Sequence, residues 1–434
     1  MRNQKPKVFF FSSLLATLNK HIIVIILFSN TRISTLLILR SITLKNFRSY
    51  KTEIFAFHER FNLISGENAQ GKTNLLEAIH LLCTLRPFKQ VRMEELISFG
   101  ETEGRIKGEL ESNSGLNEVH IILTSGSPTI LPLNRYPRSR GSPTTLPLNP
   151  RSSRGYPRSR GGKTVKLNGK IVYDIPKLLG RFNVVTFLPS DLDLIKGSPQ
   201  DRRRYIDVLI CNLRPEHLID LKLYLRALTQ RNALLLREAT RETLDAWDEN
   251  IGELGGKIVK RRIKLIERLE PLLERNYRLI SGLNTVIKIQ YKPSFNIGGN
   301  LIEELKKELR SRFHIDKRRG HTSVGPHRDL PGFTIDGIDA SVFASQGEAK
   351  TLALALKASE IELTRLTLGR NPILLLDDIT SELDEKRKNF LYRLIEEYTG
   401  QIFVTATNPK EVLYKGQKKI FQIRAGRTET KMYQ

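Results

Sequence analysis

Eight consecutive residues, Gly66-Glu67-Asn68-Ala69-Gln70-Gly71-Lys72-Thr73, have the types and spacing of a phosphate-binding loop, G-x-x-x-x-G-K-[ST]. Gly66 and Gly71 remove a Cβ where the backbone must wrap an anion. Successive amide N–H groups, together with a helix starting at Thr73, would cradle the phosphates. Lys72 supplies a point charge to the β- and γ-phosphates. A second segment, Ile373-Leu374-Leu375-Leu376, is apolar and ends in Asp377 and Asp378. The Thr73 hydroxyl and Asp377 suit a shared magnesium ion, which neutralises charge as a γ-phosphoryl leaves. Asp378 stands where a general base for water belongs. The pair of segments predicts a site for a nucleoside triphosphate and Mg2+, with Asp378 and Lys72 as its catalytic residues.

The elements around the loop fit that chemistry. Phe61-Asn62-Leu63-Ile64-Ser65 reads as a strand and Asn74 to Leu82 as a helix, so the loop joins strand to helix. A third segment, Ser345-Gln346-Gly347-Glu348, opens the apolar-rich helix Thr351–Leu363. Ser is a common N-cap, and such a helix start is also ready for phosphate. One ATP does not need two such helix ends from one subunit. In ABC-type ATPases the second end comes from a partner chain, across a dimer. Ser381-Glu382-Leu383-Asp384, just past the acidic strand, resembles the loop those ATPases place at the dimer seam.

Taken in order, these segments resemble the RecF family of bacterial recombination and repair proteins, within the ABC/SMC ATPase superfamily. Leu39–Tyr50 is similar to that family's opening strand, Glu95–Gly100 to its next element, and Phe187–Asp207 to one of its most specific stretches. Gly325-Pro326-His327-Arg328-Asp329, Ser345–Gly347 and Leu376–Asp384 complete the series. The resemblance implies an ATP-dependent homodimer, with each phosphate loop facing the partner's Ser345, Gln346 and Gly347, and Asp384 at the seam. It implies binding to duplex DNA and single-strand gap junctions. It also implies RecR and RecO as partners in loading RecA, for gap repair and recovery of replication.

Four departures bear on that expectation. Glu348 stands where a second Gln is usual, and Leu330 follows Asp329 where a second Asp is usual. The strand Ile402–Thr407 has no histidine at the switch position of ABC ATPases, and no glutamine occurs near Pro189–Asp191. The last two absences imply slow hydrolysis, with ATP chiefly a dimerisation switch.

The formal net charge of +25 favours a polyanionic partner. Basic clusters occur at Arg202–Arg204, at Lys257 with Lys260-Arg261-Arg262-Ile263-Lys264, and at Lys317–Arg319. The stretch Lys257–Lys264 is the expected DNA contact, through phosphates rather than bases. A solvated helix face is the competing reading. Arg202–Arg204, Arg48 and His327-Arg328 suit contacts with the nucleotide or between lobes. Cys83 and Cys211 are the only two cysteines, in apolar helical runs, with neither metal spacing nor a disulfide framework. They read as core residues of a cytoplasmic protein.

The organisation that follows is an α/β ABC-type ATPase head, a P-loop NTPase, with an inserted helical second lobe. Residues 36–196 and 317–434 form the two halves of the head, and 197–316 form a helical arm. Apolar periodicity in the arm persists for only a few turns per segment, so no SMC-length coiled coil is expected. Residues 1–35 are a basic, apolar extension that Asn19-Lys20-His21 splits into halves too short to span a bilayer. Residues 125–162 repeat Gly-Ser-Pro-Thr and Tyr-Pro-Arg-Ser-Arg-Gly, contain no acid, and suit a disordered insert at a hairpin tip between 119–123 and 163–167. A transporter ATPase subunit is disfavoured by the absent histidine and glutamine. An SMC structural protein is disfavoured by the missing heptads, and a nuclease by the lack of a surplus domain with an acidic metal cluster.

Overall fold

The computed structural model describes residues 37–88, 91–113, 115–125, 162–237, 240–378 and 383–433. The 1–35 extension, nearly all of the repetitive 125–162 segment, and Ser381 and Glu382 of the seam loop lie outside the described residues.

Three sheets and eight longer helices organise the described residues. Strands β1 (Leu37–Phe47), β2 (Tyr50–Ala56), β4 (Glu103–Ser112), β5 (Gly115–Thr124), β6 (Gly162–Leu167) and β7 (Lys170–Ile171) make an antiparallel sheet in the order β2-β1-β4-β5-β6-β7. The hairpin expected around the repetitive segment is present: β5 pairs with β6, with Thr124 opposite Gly162.

The second sheet carries the site. Strands β3 (Phe61–Ser65), β8 (Val184–Phe187), β12 (Ile373–Asp377), β13 (Ile402–Ala406), β14 (Lys418–Arg424) and β15 (Arg427–Tyr433) lie in the order β15-β14-β3-β13-β12-β8. All neighbours are parallel except the closing pair β14–β15. The interior strands read as continuous apolar runs because both faces are covered. Ile373 and Leu375 turn to one core, Leu374 and Leu376 to the other. Helix α1 (Lys72–Thr84) fills the first core, between this sheet and the antiparallel one.

The second core is built by α2 (Pro199–Leu213), α4 (Arg241–Ser281), α7 (Gln346–Leu368) and α8 (Glu385–Glu397). Helix α3 (Glu216–Leu235) joins α4 and α5 (Leu301–Ser311) around a third core containing Tyr224, Ile251, Ile258 and Leu305. Helix α6 (Phe313–Arg319) follows.

One expectation about the arm needs correction and one feature adds to it. Its apolar periodicity persists for only a few turns per segment, yet α4 runs unbroken for 41 residues. The apolar face changes partner along its length, from the arm core at Ile251 and Ile258 to the head core at Leu269 and Leu273. A drifting stripe is therefore compatible with one long helix. The segment is also not wholly helical. Strand β9 (Ile287–Lys292) pairs antiparallel with β10 (Leu330–Ile335), which pairs with β11 (Ile338–Asp339), giving a three-stranded sheet. Among the described residues no helix is long and apolar enough to cross a membrane.

Candidate functional site

The loop 66–73 leaves the carboxyl end of β3, and the central sheet brings Asp377 of β12 back to it across β13. Loop geometry demands its glycines. Gly66 has φ 151° and a Cβ there would sit 2.4 Å from the Ile423 carbonyl oxygen. Gly71 has φ 115° and caps α1, which leaves the first amides of that helix facing the site.

The loop is braced from outside. Tyr50 Oη donates to the Gly71 carbonyl at 2.9 Å. The β14–β15 turn closes over Gln70: the Ala425 amide donates to its Oε1 at 2.6 Å and the Gly426 amide to its carbonyl at 3.1 Å. The Gln70 side chain thus turns to this hairpin, and its part in holding the loop lay outside the sequence reading.

Lys72 Nζ donates to the Gly66 and Glu67 carbonyls at 2.6 and 2.9 Å. Burial lowers its pKa, and the carboxylates of Asp378 and Asp377 work against that shift. Thr73 Oγ1 donates to Asp377 Oδ1 at 2.9 Å. A cavity of about 130 Å³ is lined by Asn68, Ala69, Gly71, Lys72, Thr73, Asn74, Asp377 and Asp378. Hydroxyl and carboxylate oxygen side by side, beside a lysine and a helix start, fit a hard cation held with phosphate oxygens and water. Asp378 adopts φ 46°, a left-handed conformation that turns the chain sharply after the strand.

Thr405 on β13 was missed. Its Oγ1 donates to Asp377 Oδ1 at 2.9 Å and accepts from the Asp378 amide at 2.8 Å, so one buried hydroxyl orients both acidic residues. Only its place in the strand next to β12 could have pointed to it, because a lone threonine has no spacing signature.

Ser345, Gln346, Gly347 and Asp384 do not line this cavity. Ser345 and Gln346 are exposed at the start of α7, where Ser345 Oγ accepts from the Glu348 amide at 3.2 Å. The Glu348 carboxylate accepts in return from the Ser345 amide and hydroxyl, both at 2.8 Å, and these bonds lower its pKa. The unusual glutamate therefore completes a capping box. Asp384 caps α8, accepting from the Arg387 amide at 3.0 Å and pairing with the Arg387 guanidinium. Arg387 Nε donates to Thr351 Oγ1 at 2.9 Å, which ties the seam residue to the signature helix.

Gly325–Asp329 is a structural node. The Asp329 carboxylate, fully buried, accepts from Tyr291 Oη and from the Ser294 amide and hydroxyl, at 2.8 and 3.0 Å for the last two. His327 Nδ1 lies 2.6 Å from Tyr224 Oη. Leu330, in place of a second aspartate, is 49% exposed at the start of β10 and leaves this node intact. Arg202 braces the lobes, donating to the Pro331 and Gly197 carbonyls, both at 2.7 Å. Arg48 pairs with Glu77 of α1 at 2.9 Å.

The expected DNA cluster divides. Lys260 and Lys264 are exposed, Lys257 pairs with Glu253 at 2.6 Å, and Arg261 pairs with Asp220 at 2.6 Å. Arg262 is not available to DNA: it is 2% exposed and holds Asp207 through Nε and Nη2 at 2.9 and 2.8 Å. It lies on the opposite side of the helix, where burying an arginine demands a carboxylate partner.

A parallel sheet with a phosphate loop, an acidic strand and a signature helix defines an ABC-type ATPase head of the SMC kind. A solved Smc head domain from Pyrococcus furiosus aligns over 92% of this chain and 96% of that one, with TM-score 0.51 and 15% identity, a likeness of fold alone. Residues 38–127 match the family model for the RecF/RecN/SMC N terminal domain. The DNA replication and repair protein RecF of Agathobacter rectalis is 34% identical over 399 residues, 91% of this chain and 99% of that protein. RecF of Staphylococcus carnosus is 32% identical over 89% of this chain and 98% of that protein. Solved structures of the recombination mediator protein RecF in the RecFOR pathway, as RecF-ATPrS and RecF-ATP, each give TM-score 0.77 at 31% identity, covering 91% of this chain and 98% of theirs. The chain belongs to the RecF family of DNA replication and repair proteins.

Proposed function

We propose that this chain is an ATP-dependent recombination mediator that dimerises on ATP, binds duplex and gapped DNA, and works with RecO and RecR to load RecA. The observation that carries the reading is the Thr73–Asp377 contact inside the loop-lined cavity. The ATP-bound relatives and the family support it. Lys72 and the first amides of α1 hold the phosphates. Thr73 and Asp377 would hold Mg2+, which would supply charge neutralisation to the phosphates.

The exposed helix start at Ser345, outside the cavity of its own subunit, suits a γ-phosphate held by the partner subunit's loop. Val342 and Phe343 beside it are 68% and 71% exposed, as a dimer seam would require. Asp378 orients or deprotonates water, and with no histidine on β13 hydrolysis is slow and resets the dimer. A transporter subunit is the alternative, and the RecF relatives weigh against it.

Sedimentation with and without ATP and Mg2+ tests the reading. ATP-dependent dimers should form in the wild type and be lost in both Lys72→Ala and Ser345→Arg. A chain that binds ATP and stays monomeric would refute the switch across subunits.

A further inference from the structure

A groove of about 370 Å³ lies where the end of α2 meets the middle of α4 and the end of α7. Six basic residues line it: Arg214, Lys257, Lys260, Arg261, Lys264 and Arg268. Five of them belong to α4 and fall within an arc of about 100° at 100° per residue, and every α4 residue that projects into that arc between 257 and 268 is basic. Arg214 adds the sixth cation from a point more than forty residues upstream in sequence. The buried side chains of Leu265 and Ile210 also line it.

The charge in this groove is only half neutralised locally. Glu216 lies 3.7 Å from Arg214, Glu253 pairs with Lys257 and Asp220 with Arg261, so three carboxylates answer six cations. Lys260 and Lys264 make no ion pair among the described residues. Arg268 donates to Thr367 Oγ1 at 2.9 Å, which anchors it to the end of α7. Like charges three and four apart weaken a helix. A face that only needed solvation would interleave acids, as α4 does elsewhere with Glu267, Glu270 and Glu274.

We propose that this groove is the DNA-backbone site of the protein, with Lys260 and Lys264 as its central phosphate contacts and Arg214 and Arg268 at its flanks. The proposal rests on the DNA-binding reading above and deepens it. Lys257 to Arg268 spans about 16 Å of helix, which matches about five phosphate steps along one strand. The α4 row is straight and single-signed, and no aromatic residue among those described lines the groove, so it holds phosphates without reading bases. It shares no residue with the nucleotide cavity, so DNA and ATP bind at separable places.

The test measures anisotropy of a labelled duplex against salt, with ATP and Mg2+ present. Four proteins are compared: wild type, Lys260→Ala/Lys264→Ala, Arg214→Ala/Arg268→Ala, and the control Lys51→Ala/Lys170→Ala, whose lysines are exposed far from the groove in sequence. Each lost phosphate contact reduces the steepness of the fall of log K with log salt by about 0.9. The Lys260/Lys264 pair should therefore reduce that steepness by about 1.8, with fluorescent ATP binding unchanged. Arg214→Ala/Arg268→Ala should lower it in the same direction, and the control should not. If the wild type binds no duplex, the DNA reading itself falls. If it binds, and the groove and control pairs weaken it equally, DNA binding stands and the groove assignment is overturned. An unchanged DNA slope with loss of poly-glutamate binding would give the face to acidic protein segments and equally overturn it.

Discussion

Thr405→Val tests whether one hydroxyl organises both acidic residues of the site. The substitution nearly keeps the side-chain volume and removes the polar atom. Thr405 is 1% exposed, its hydroxyl donates to Asp377 at 2.9 Å, and it accepts from the Asp378 amide at 2.8 Å. A hydrogen bond to a charged group is worth about 1.5–3 kcal/mol, and a buried amide left without a partner costs about 1–3 kcal/mol. Some relaxation is expected around the partly buried Asp378 amide, so the combined loss should be about 3 kcal/mol of unfolding free energy in urea. Asp377 would also lose the contact that orients it for Mg2+. Losing a partner of a metal ligand typically weakens metal binding by 10- to 100-fold. Nucleotide titration at limiting Mg2+ should therefore show at least a tenfold loss, while titration without Mg2+ should change far less. Thr405→Ser, which restores the hydroxyl, should recover most of both. A valine variant as stable as wild type, with unaltered Mg2+ dependence, would refute the reasoning.

Arg262→Ala should behave unlike its neighbours in sequence. Removing it leaves Asp207 to its His217 Nε2 contact at 3.2 Å and disturbs Asp329, so unfolding free energy should fall by about 3 kcal/mol. Lys264→Ala, on the exposed face, should stay within about 0.5 kcal/mol in the same urea titration. The protein should also weaken in acid through His327. Burial, only partly offset by its bond to the Thr322 carbonyl, lowers its pKa to about 4. The unfolded chain then takes up that proton first, near pH 6.5, so stability falls as pH drops from about 6.5 toward 4. His327→Gln should flatten this part of the pH profile of thermal unfolding.

The phosphate loop, the acidic strand and the signature helix were legible in the sequence because each is local. Gly66–Thr73 and Asp377 announce themselves by residue type and short spacing, and an apolar run flanked by turn residues marks its own strand. The pairing of 119–123 with 163–167 was legible for the same reason: strand signals flank a repetitive segment rich in proline and glycine. The family resemblance was equally available, since it rests on ordered short motifs.

Other features depended on which residues meet in space. The face an arginine turns to is invisible in a run such as Lys260-Arg261-Arg262-Ile263-Lys264, and packing alone sent Arg262 inward to Asp207, more than fifty residues away. Arg214 joined Lys260 and Lys264 only because α2 ends against α4. Thr405 reached Asp377 because β13 lies beside β12, a strand order no local pattern encodes. Gln70 acquired its clasp from a hairpin at the far end of the chain. The sequence by itself determined the chemistry available to this protein, since side-chain type and short-range spacing decide which groups can bind phosphate. Only the tertiary structure decided which groups are exposed, which are neutralised and which are held in place, because burial and long-range pairing are properties of the packed chain.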